Sequence, residues 1–335
     1  MAEVIKKEIS VAPMMDRTDR HCRYFHRLLA PDVRLYTEMI VAQAIMNGDR
    51  EKLLAYDPAE LPLALQLGGN DPALLAAAVR VADAYGYDEY NLNIGCPSDR
   101  VKSGSFGACL MAEPERVAAC VRAMNDVTDV PVTVKTRIGI DDKESYGFLT
   151  DFIGTVQAAG CDKFVVHARK ALLSGLSPKE NRTIPPLKYA TVYKLKQDFP
   201  ELCIIINGGV RTTDEARMHL EHVDGVMIGR QAYSDPYWLT ELQLLLLGER
   251  DDWVVPAREQ IMAAMAAYAE SRAKVAGTRM HHISRHILGL YAGQPGARKW
   301  RRYVSQGCAS QAAGPEVLLD SILLDSINRY SVVKD

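Results

Sequence analysis

The sequence lacks the features of membrane proteins, of secreted proteins and of proteins stabilised by a structural zinc ion. No apolar run reaches the roughly 18 residues needed to span a bilayer, and the first residues contain no apolar signal-peptide core. Its seven cysteines are irregularly spaced and include no CxxC pair, which argues against a disulfide framework and a tetrahedral zinc site. We therefore expect a cytosolic protein with free thiols, no bound metal and no membrane partner.

Acidic residues are missing from one part of the chain. Residues 271–305 include eight basic residues and three histidines but no acid. Residues 256–335 carry 11 Lys/Arg against 6 Asp/Glu, although the whole chain has a net charge of −2. Such a basic segment predicts a polyanionic partner, while a solvated basic face is the alternative interpretation.

Short apolar runs alternate with helix-like segments over most of the 335 residues. Eight strands are predicted, at Ile9–Met14, Arg34–Glu38, Leu63–Leu67, Glu89–Ile94, Pro131–Arg137, Lys163–His167, Cys203–Asn207 and Gly225–Gly229. Helices are predicted near the end of the chain, at Pro256–Ala276, His281–Ala292, Pro295–Gln306 and Pro315–Tyr330. The pattern predicts an α/β fold, with a TIM (β/α)8 barrel over residues 1–240, a helical connector over 241–255 and a C-terminal all-α bundle over 256–335.

The predicted strands end in residues that can bind a ligand, at the barrel face where this fold carries its active sites. These residues are Met14, Glu38, Gln66, Asn93, Lys135, His167, Asn207 and Gly229. Asn207-Gly208-Gly209 and Gly229-Arg230 follow the last two strands, where backbone N–H groups commonly bind phosphate. Two ordinary left-handed turns are the alternative interpretation of these glycines.

Cys96 is the predicted catalytic residue. It lies in a Gly-Cys-Pro turn directly after the strand that contains Asn93, and Ser103–Gly107 follows as a predicted mobile lid. Because no His–Asn pattern of a cysteine hydrolase lies beside it, proton donation fits Cys96 better than nucleophilic attack.

Lys135 lies on an apolar strand and needs an anionic partner if it is buried. A Schiff-base lysine and a cation beside a reduced flavin are both compatible with this position, and Gln66 and Asn93 favour the flavin. The sequence has no G-x-G-x-x-G fingerprint of a resident nicotinamide domain. We therefore expect NADPH to visit a flavin in a ping-pong reaction.

Several motifs together resemble the tRNA-dihydrouridine synthases. They are Ala12–Asp19 (APMMDRTD), Leu92–Ser98 (LNIGCPS), Val134–Arg137 (VKTR), Val166–Arg169 (VHAR) and Ile206–Gly209 (INGG). Two further stretches, Leu173–Leu187 and Gly104–Met111, are similar to the A subfamily of these enzymes. The resemblance extends over the whole chain.

The resemblance implies that D-loop uridines 20 and 20a of tRNA are reduced to 5,6-dihydrouridine. It implies tightly bound FMN, transient NADPH, and Cys96 as the acid that protonates uracil C5 while hydride reaches C6. The implied FMN contacts are Pro13, Met14, Met15, Gln66, Lys135, His167, Arg169, Asn207, Gly208, Gly209, Gly229 and Arg230. The implied tRNA contacts are Asn93, Arg182, Pro185, Arg298 and Arg301, and the protein is expected to act as a monomer without a DNA partner.

Two rival functions and two ambiguous features stay open at this point. An FMN barrel oxidoreductase that acts on a free pyrimidine, or a tRNA-binding protein that has lost catalysis, would share parts of the pattern. Trp300 fits either a stack with RNA or a helical core. His282 and His286 have helical i, i+4 spacing, but no neighbouring ligand completes a metal site, so we expect them to face RNA or solvent.

Overall fold

The computed structural model describes residues 7–98, 101, 104–247 and 253–322. Two compact units make up the chain. The first contains Met1–Asp16 and Val33–Gly229, and the second contains Arg17–Asp32 and Arg230–Asp335. The second unit thus includes one segment from near the start of the chain. The sequence had predicted domains that are continuous in sequence, with boundaries at residues 240 and 255, and that division stays a prediction.

The first unit is built on parallel strands. They are β1 (Glu8–Val11), β2 (Leu35–Tyr36), β3 (Ile40–Val41), β4 (Leu63–Gly68), β5 (Glu89–Asn93), β6 (Val132–Arg137), β7 (Lys163–His167), β8 (Cys203–Asn207) and β9 (Gly225–Ile228). The sheet runs β1-β9-β8-β7-β6-β5-β4-β2, and β3 also pairs with β4, so β2 and β3 share one barrel position. A parallel bridge from Ser10 to Arg34 closes the cylinder. The prediction of a TIM barrel is confirmed.

Helices follow the strands and continue beyond the barrel. They are α1 (Arg20–Leu29), α2 (Ala42–Asn47), α3 (Arg50–Leu54), α4 (Pro72–Asp83), α5 (Pro114–Asn125), α6 (Tyr146–Gln157), α7 (Tyr189–Asp198), α8 (Thr213–Leu220), α9 (Arg230–Ser234), α10 (Leu239–Leu247), α11 (Arg258–Ala276), α12 (Met280–Ile287) and α13 (Ala297–Gly307). Local sequence explains their starts: Asp71 caps α4 ahead of Pro72, and Thr212 and Glu215 form a capping box on α8. No described helix has the length and apolarity that crossing a membrane requires.

The barrel interior is divided into an apolar part and a polar part. Six side chains from β2, β4, β7, β8, β9 and the residue after β1 form a closed apolar cluster, namely Ala12, Tyr36, Ala64, Val165, Ile205 and Met227. Near the amino ends of the strands, Lys163 Nζ lies 2.6 Å from Glu8 Oε2 and 2.8 Å from Glu89 Oε2. Buried charges are tolerated here because they are paired.

The second unit is helical and has a basic surface. Asp19 caps α1 by accepting from the N–H groups of His21 and Cys22, and its other carboxylate oxygen lies 2.6 Å from Arg285 Nη2 and 3.0 Å from His286 Nε2 on α12. These contacts bring residues from opposite ends of the chain into one helical unit. The predicted helical region is confirmed over the described residues, which include only 316–322 of its last helix.

Helix α13 separates its apolar and basic residues onto two faces. Ala297, Trp300 and Val304 are buried at helical spacing, and the Trp300 ring centroid lies 4.5 Å from that of Tyr291. The structure thus resolves the choice left open for Trp300 in favour of the core. The exposed face carries Arg298, Lys299, Arg301 and Arg302.

Candidate active site

Cys96 lies in the turn that follows β5, where its backbone is held from two sides. The N–H of Cys96 donates to Asn93 Oδ1 at 2.9 Å, and its carbonyl accepts from the N–H of Ala108 at 2.9 Å. The thiol is partly exposed and donates to Ser98 Oγ at 3.4 Å. Backbone contacts thus fix the position of a thiol that solvent still reaches.

The predicted lid is packed where the structure describes it. Ser103 lies outside the described residues, whereas Phe106 is buried and the carbonyl of Ser105 accepts from Asn70 Nδ2 at 2.9 Å. Gly107 has a φ of 74°, and a Cβ there would lie 2.6 Å from the carbonyl oxygen of Cys96. The glycine is needed because the chain passes directly against the Cys96 turn.

Gln66 and Asn93 meet across β4 and β5. Asn93 Nδ2 donates to Gln66 Oε1 at 2.8 Å, and Gln66 Nε2 donates to Asn91 Oδ1 at 2.8 Å. Asn93 Oδ1 accepts from the N–H groups of Gly95 and Cys96. The amide of Asn93 therefore orients the turn that carries Cys96.

Lys135 and Asn207 form a second polar pair at the carboxyl ends of β6 and β8. Lys135 Nζ donates to Asn207 Oδ1 at 3.1 Å, and Asn207 Nδ2 donates to the carbonyl of Met227 at 2.8 Å. Burial lowers the pKa of Lys135 to about 7 and the charge of Arg137 acts in the same direction, while Cys96 opposes the shift. An anionic ligand would complete the contacts of this ammonium group.

His167 is neutral at pH 7 and has an unused ring nitrogen. Burial lowers the pKa of His167 well below its ordinary value, and the positive charges of Arg137, Lys135 and Arg169 lower it further. Its Nδ1 is buried without a hydrogen-bond partner among the described residues. A buried polar atom of this kind indicates a ligand that supplies the missing hydrogen bond.

The turn after β8 has backbone angles that favour glycine. Gly208 and Gly209 have φ values of 118° and 82°, in the region that favours glycine. Tyr189 donates its hydroxyl to the carbonyl of Gly208 at 2.8 Å, which fixes the turn. Consecutive glycines let a phosphate approach the backbone N–H groups closely.

The sequence did not single out Arg137, which connects the Cys96 turn to the loop after β7. Its Nε donates to the carbonyl of Gly95 at 2.9 Å, and its Nη1 donates to the carbonyls of Lys170 and Asn181 at 3.0 and 3.1 Å. Burial lowers the pKa of Arg137 to about 10, and Cys96 opposes that shift. Arg137 thus ties the carbonyl of Gly95, next to Cys96, to the loop after β7.

The other predicted residues have varied surroundings. Pro13 and Met14 are half-buried, Met15 is 53% exposed, and Gly229 follows β9. Arg169 Nη1 donates to the carbonyl of Pro185, a buried proline, and Arg182 is exposed in a short 3-10 helix at Glu180–Arg182. Arg230, Arg298 and Arg301 belong to the second unit, and the last two are exposed there.

The histidine pair on α12 does not form a metal site. His286 is buried, and its two ring nitrogens contact Asp19 and Tyr233, whereas His282 is exposed and its ring centroid lies 4.0 Å from that of His281. The expectation that both face RNA or solvent is wrong for His286, because its side chain is buried and its Nε2 lies 3.0 Å from Asp19 Oδ2 in a contact between α1 and α12. The described residues include no cluster of His, Cys, Asp or Glu able to hold a metal ion.

Comparison with known proteins identifies the family. The family model described as Dihydrouridine synthase (Dus) matches residues 10–328. The chain belongs to the dihydrouridine synthase family. It is 56% identical over 315 residues to a tRNA-dihydrouridine(20/20a) synthase of Vibrio parahaemolyticus, and 94% of this chain and 95% of that protein are covered. A protein of the same name from Escherichia coli K12 is 55% identical over 316 residues, which cover 94% of this chain and 90% of the relative.

A solved structure supports the barrel fold of this dihydrouridine synthase family member. A 2-naphthoyl-CoA reductase complex superposes with a TM-score of 0.54 at 10% identity, and the match covers 71% of this chain. The chain matches half the length of that larger protein. The likeness shows the fold alone.

The family motif around Cys96 includes polar residues whose partners the sequence did not reveal. Glu89, Asn91 and Asn93 alternate along β5 with Tyr90 and Leu92, so the three polar side chains share one face of the strand. This period of two was visible in the sequence. It predicts polar side chains inside the barrel, but which neighbours they contact depends on the strand register.

Proposed function

We propose that this chain is a tRNA-dihydrouridine(20/20a) synthase that holds FMN at the carboxyl face of its barrel and uses Cys96 as a proton donor. The observation that carries the proposal is the way in which Cys96 is held at the carboxyl ends of the strands: its N–H donates to Asn93 Oδ1 at 2.9 Å, and Arg137 Nε donates to the carbonyl of the preceding Gly95 at 2.9 Å. Family membership and the names of relatives at 55–56% identity support the same reaction.

The residues present fit a flavin phosphate in their chemistry. His167 Nδ1 has no partner among the described residues, Lys135 needs an anion, and the Gly208-Gly209 turn admits a phosphate. We infer that the flavin contacts include Pro13, Met14, Met15, Gln66, Lys135, His167, Arg169, Asn207, Gly208, Gly209, Gly229 and Arg230. Bound FMN, reduced by NADPH, would supply a hydride to uracil C6.

The side chains of the protein account for the second half of the reduction. Cys96 Sγ releases its proton to C5 on the opposite face of the base, so one hydride and one proton saturate the C5–C6 bond. Arg137, whose Nε donates to the carbonyl of Gly95 at 2.9 Å, keeps a positive side chain next to the turn that carries the resulting thiolate, and solvent returns the proton afterwards. Asn93 keeps the turn in place through the N–H groups of Gly95 and Cys96.

The proposed partner is the D-loop region of a tRNA, bound by a monomeric protein in the cytosol. A stacked uracil must be extruded to reach the barrel, which costs a few kcal/mol that contacts to the backbone offset. Arg182, Arg298 and Arg301 are exposed and suited to phosphate contacts, and Asn93 and Pro185 belong to the proposed substrate site.

A pair of cysteine variants tests the role of Cys96. We expect Cys96→Ala to bind FMN and tRNA but to form dihydrouridine about 10²–10⁴-fold more slowly, because it lacks the acid. Cys109→Ala is the matched control, since Cys109 is a partly exposed cysteine in the neighbouring 3-10 helix at Gly107–Ala112. Dihydrouridine is measured in unmodified tRNA by mass spectrometry after single turnovers.

Three results would overturn the proposal. Turnover at the wild-type rate in Cys96→Ala would refute the proton-donor role. Reduction of free uridine without reduction of tRNA would favour an oxidoreductase that acts on a free base. A colourless protein that gains no absorbance near 450 nm with FMN would instead favour a tRNA-binding protein that has lost catalysis.

A further inference from the structure

A continuous chain of side-chain hydrogen bonds runs through the polar part of the barrel. Thr133 Oγ1 donates to Glu89 Oε1 at 2.7 Å, and Asn91 Nδ2 donates to Thr133 Oγ1 at 2.8 Å. The chain continues through Gln66 and Asn93, with both links at 2.8 Å. It ends where Asn93 Oδ1 accepts from the N–H groups of Gly95 and Cys96.

The charge of Glu89 fixes the direction of every bond in this chain. Burial would raise the pKa of Glu89, but Lys163 and Arg34 outweigh it and hold the pKa below its ordinary value. The carboxylate is therefore ionised and can only accept hydrogen bonds, so Thr133 must donate to it. The hydroxyl oxygen of Thr133 is then the acceptor for Asn91 Nδ2, which turns Asn91 Oδ1 towards Gln66.

The same logic sets the orientation of the amides at the barrel mouth. Gln66 presents Nε2 to Asn91 and Oε1 to Asn93, so Asn93 must present its Oδ1 to the turn. A flipped Asn93 amide would place N–H groups against the N–H groups of Gly95 and Cys96. The carboxylate at the amino end of β5 thus selects the amide orientation that holds Cys96 at the carboxyl end.

Burial makes the chain costly unless all of its members are paired. Glu89, Asn91, Gln66 and Thr133 are each at most 2% exposed, whereas the other part of the interior is an apolar cluster. A buried polar group that loses its hydrogen-bond partner destabilises the folded state, so each member of the chain depends on its neighbours. A fully bonded chain is more rigid than the same groups in isolated pairs.

We propose that Thr133 and Asn91 are positioning residues that hold the Cys96 turn in its reactive orientation by relaying the constraint from Glu89. The inference rests on the proposed function, because it concerns the proton transfer from Cys96. Neither residue is proposed to contact substrate or flavin. Their role is exerted through Gln66 and Asn93.

Substitutions at Thr133 distinguish the effect of its hydroxyl from the effect of its side-chain shape. Thr133→Val keeps the branched shape but removes the hydroxyl, whereas Thr133→Ser keeps the hydroxyl. Ser10→Ala is the matched control, because Ser10 is a fully buried residue of β1 whose Oγ has no hydrogen-bond partner among the described residues. Asn91→Asp is a second break in the chain, since a carboxylate cannot donate to Thr133.

The first measurement is hydrogen exchange in the peptide that spans residues 93–98, without any substrate. We expect exchange of the Gly95 and Cys96 amides to rise about fivefold in Thr133→Val and Asn91→Asp, as loss of one hydrogen bond implies. Thr133→Ser and Ser10→Ala should match the wild type. Exchange that is unchanged in both chain-breaking variants would overturn the inference.

The second measurement separates the two half-reactions of the holoenzyme. We expect reduction by NADPH to stay at the wild-type rate, while kcat for tRNA falls about tenfold or more in Thr133→Val and KM changes by less than about twofold. Thr133→Ser should restore kcat, and an equal fall in that variant would also overturn the inference. If even the wild type shows no tRNA-dependent oxidation, the proposed function fails, while the exchange experiment still tests the chain.

Discussion

Two lysines on neighbouring barrel strands show how surroundings decide what one residue type does. Lys163 on β7 lies between Glu8 and Glu89, and although burial opposes it, these carboxylates raise the pKa of Lys163. Lys135 on β6 has an amide oxygen as its contact, and burial lowers its pKa to about 7. Lys163 is therefore paired with carboxylates, whereas the described contact of the Lys135 ammonium group is a neutral amide, which fits the anionic ligand that we propose for it.

Replacing Lys135 should stabilise the flavin-free protein. Below pH 7 both the folded and the unfolded chain carry the Lys135 proton, so the folded state bears the full cost of a buried charge. Between about pH 7 and 10.5 only the unfolded chain binds the proton, so wild-type stability rises with pH. We expect the free energy of unfolding of Lys135→Met to exceed that of the wild type by about 1–3 kcal/mol at pH 6. The difference between the two proteins should become smaller by pH 10. Urea unfolding at both pH values measures it.

Lys163→Met provides the opposite case. Because it removes one of the two cations that contact both Glu8 and Glu89, the other being Arg34, we expect the free energy of unfolding to fall by about 3 kcal/mol at pH 7. Equal effects of the two substitutions at every pH would contradict the difference in electrostatic surroundings.

Residue type alone singled out some of the proposed site residues but not others. Cys96 and Lys135 were predictable because a thiol in a Gly-Cys-Pro turn and a lysine on an apolar strand are unusual in themselves. Thr133 and Asn91 are unremarkable in sequence, and their role depends on neighbours 42 positions apart along the chain. Only the register between β5 and β6 brings them into contact.

At the scale of elements, strand positions were predicted well and their ends less well. The first strand was expected to reach Met14 but ends at Val11, ahead of a proline that has no N–H to continue the ladder. The second was expected over Arg34–Glu38, yet β2 and β3 are separate. Thr37 Oγ1 accepts from the N–H of Gln66 between them, so a side chain replaces a backbone acceptor of the regular ladder.

The turn after β8 gives a prediction at this scale. In Gly209→Ala, the new Cβ would lie 2.5 Å from Leu187 Cδ1 and 2.6 Å from the hydroxyl of Tyr189, at a φ of 82° that an L-residue rarely adopts. We expect a loss of about 1–3 kcal/mol in stability and weaker FMN binding, measured by thermal unfolding and flavin fluorescence.

Gly154→Ala is the control for the turn substitution. Gly154 lies within α6, and a Cβ there would meet nothing within 4 Å. Because alanine favours helix over glycine, we expect a gain of about 0.5–1 kcal/mol and unchanged FMN affinity. Normal flavin binding in Gly209→Ala would argue against a phosphate site at the turn.

At the scale of the whole molecule, the sequence revealed the charge asymmetry but not the composition of the compact units. Residues 17–32 join the second unit, and Asp32 accepts from Gln243 Nε2 at 2.6 Å, across 211 positions of sequence. A pattern read along the chain reports local periodicity, so it cannot reveal such a distant partner. The excess of basic over acidic residues, in contrast, is a property of the composition, so it can be counted from the sequence without knowing the fold.

The basic face of α13 predicts how the protein binds a polyanion. Each phosphate contact releases counterions, so the logarithm of the tRNA affinity should fall linearly with the logarithm of the salt concentration, by about 0.7–0.9 per contact. Arg298 and Arg301 are both exposed on this helix. We expect the Arg298→Ala, Arg301→Ala double variant to bind tRNA at least about tenfold more weakly at 100 mM salt and to reduce the slope by about 1.5.

The salt dependence separates phosphate contacts from a general loss of charge. Arg217→Ala also removes a positive charge, but Arg217 Nη1 lies 3.2 Å from Asp214 Oδ1 one turn earlier in α8, so its charge is already compensated. We expect this control to retain the wild-type slope within about 0.3, since no counterion is released at a compensated charge. A double variant with reduced affinity but an unchanged slope would mean that α13 does not contact phosphates, and the basic face would then be a solvated surface.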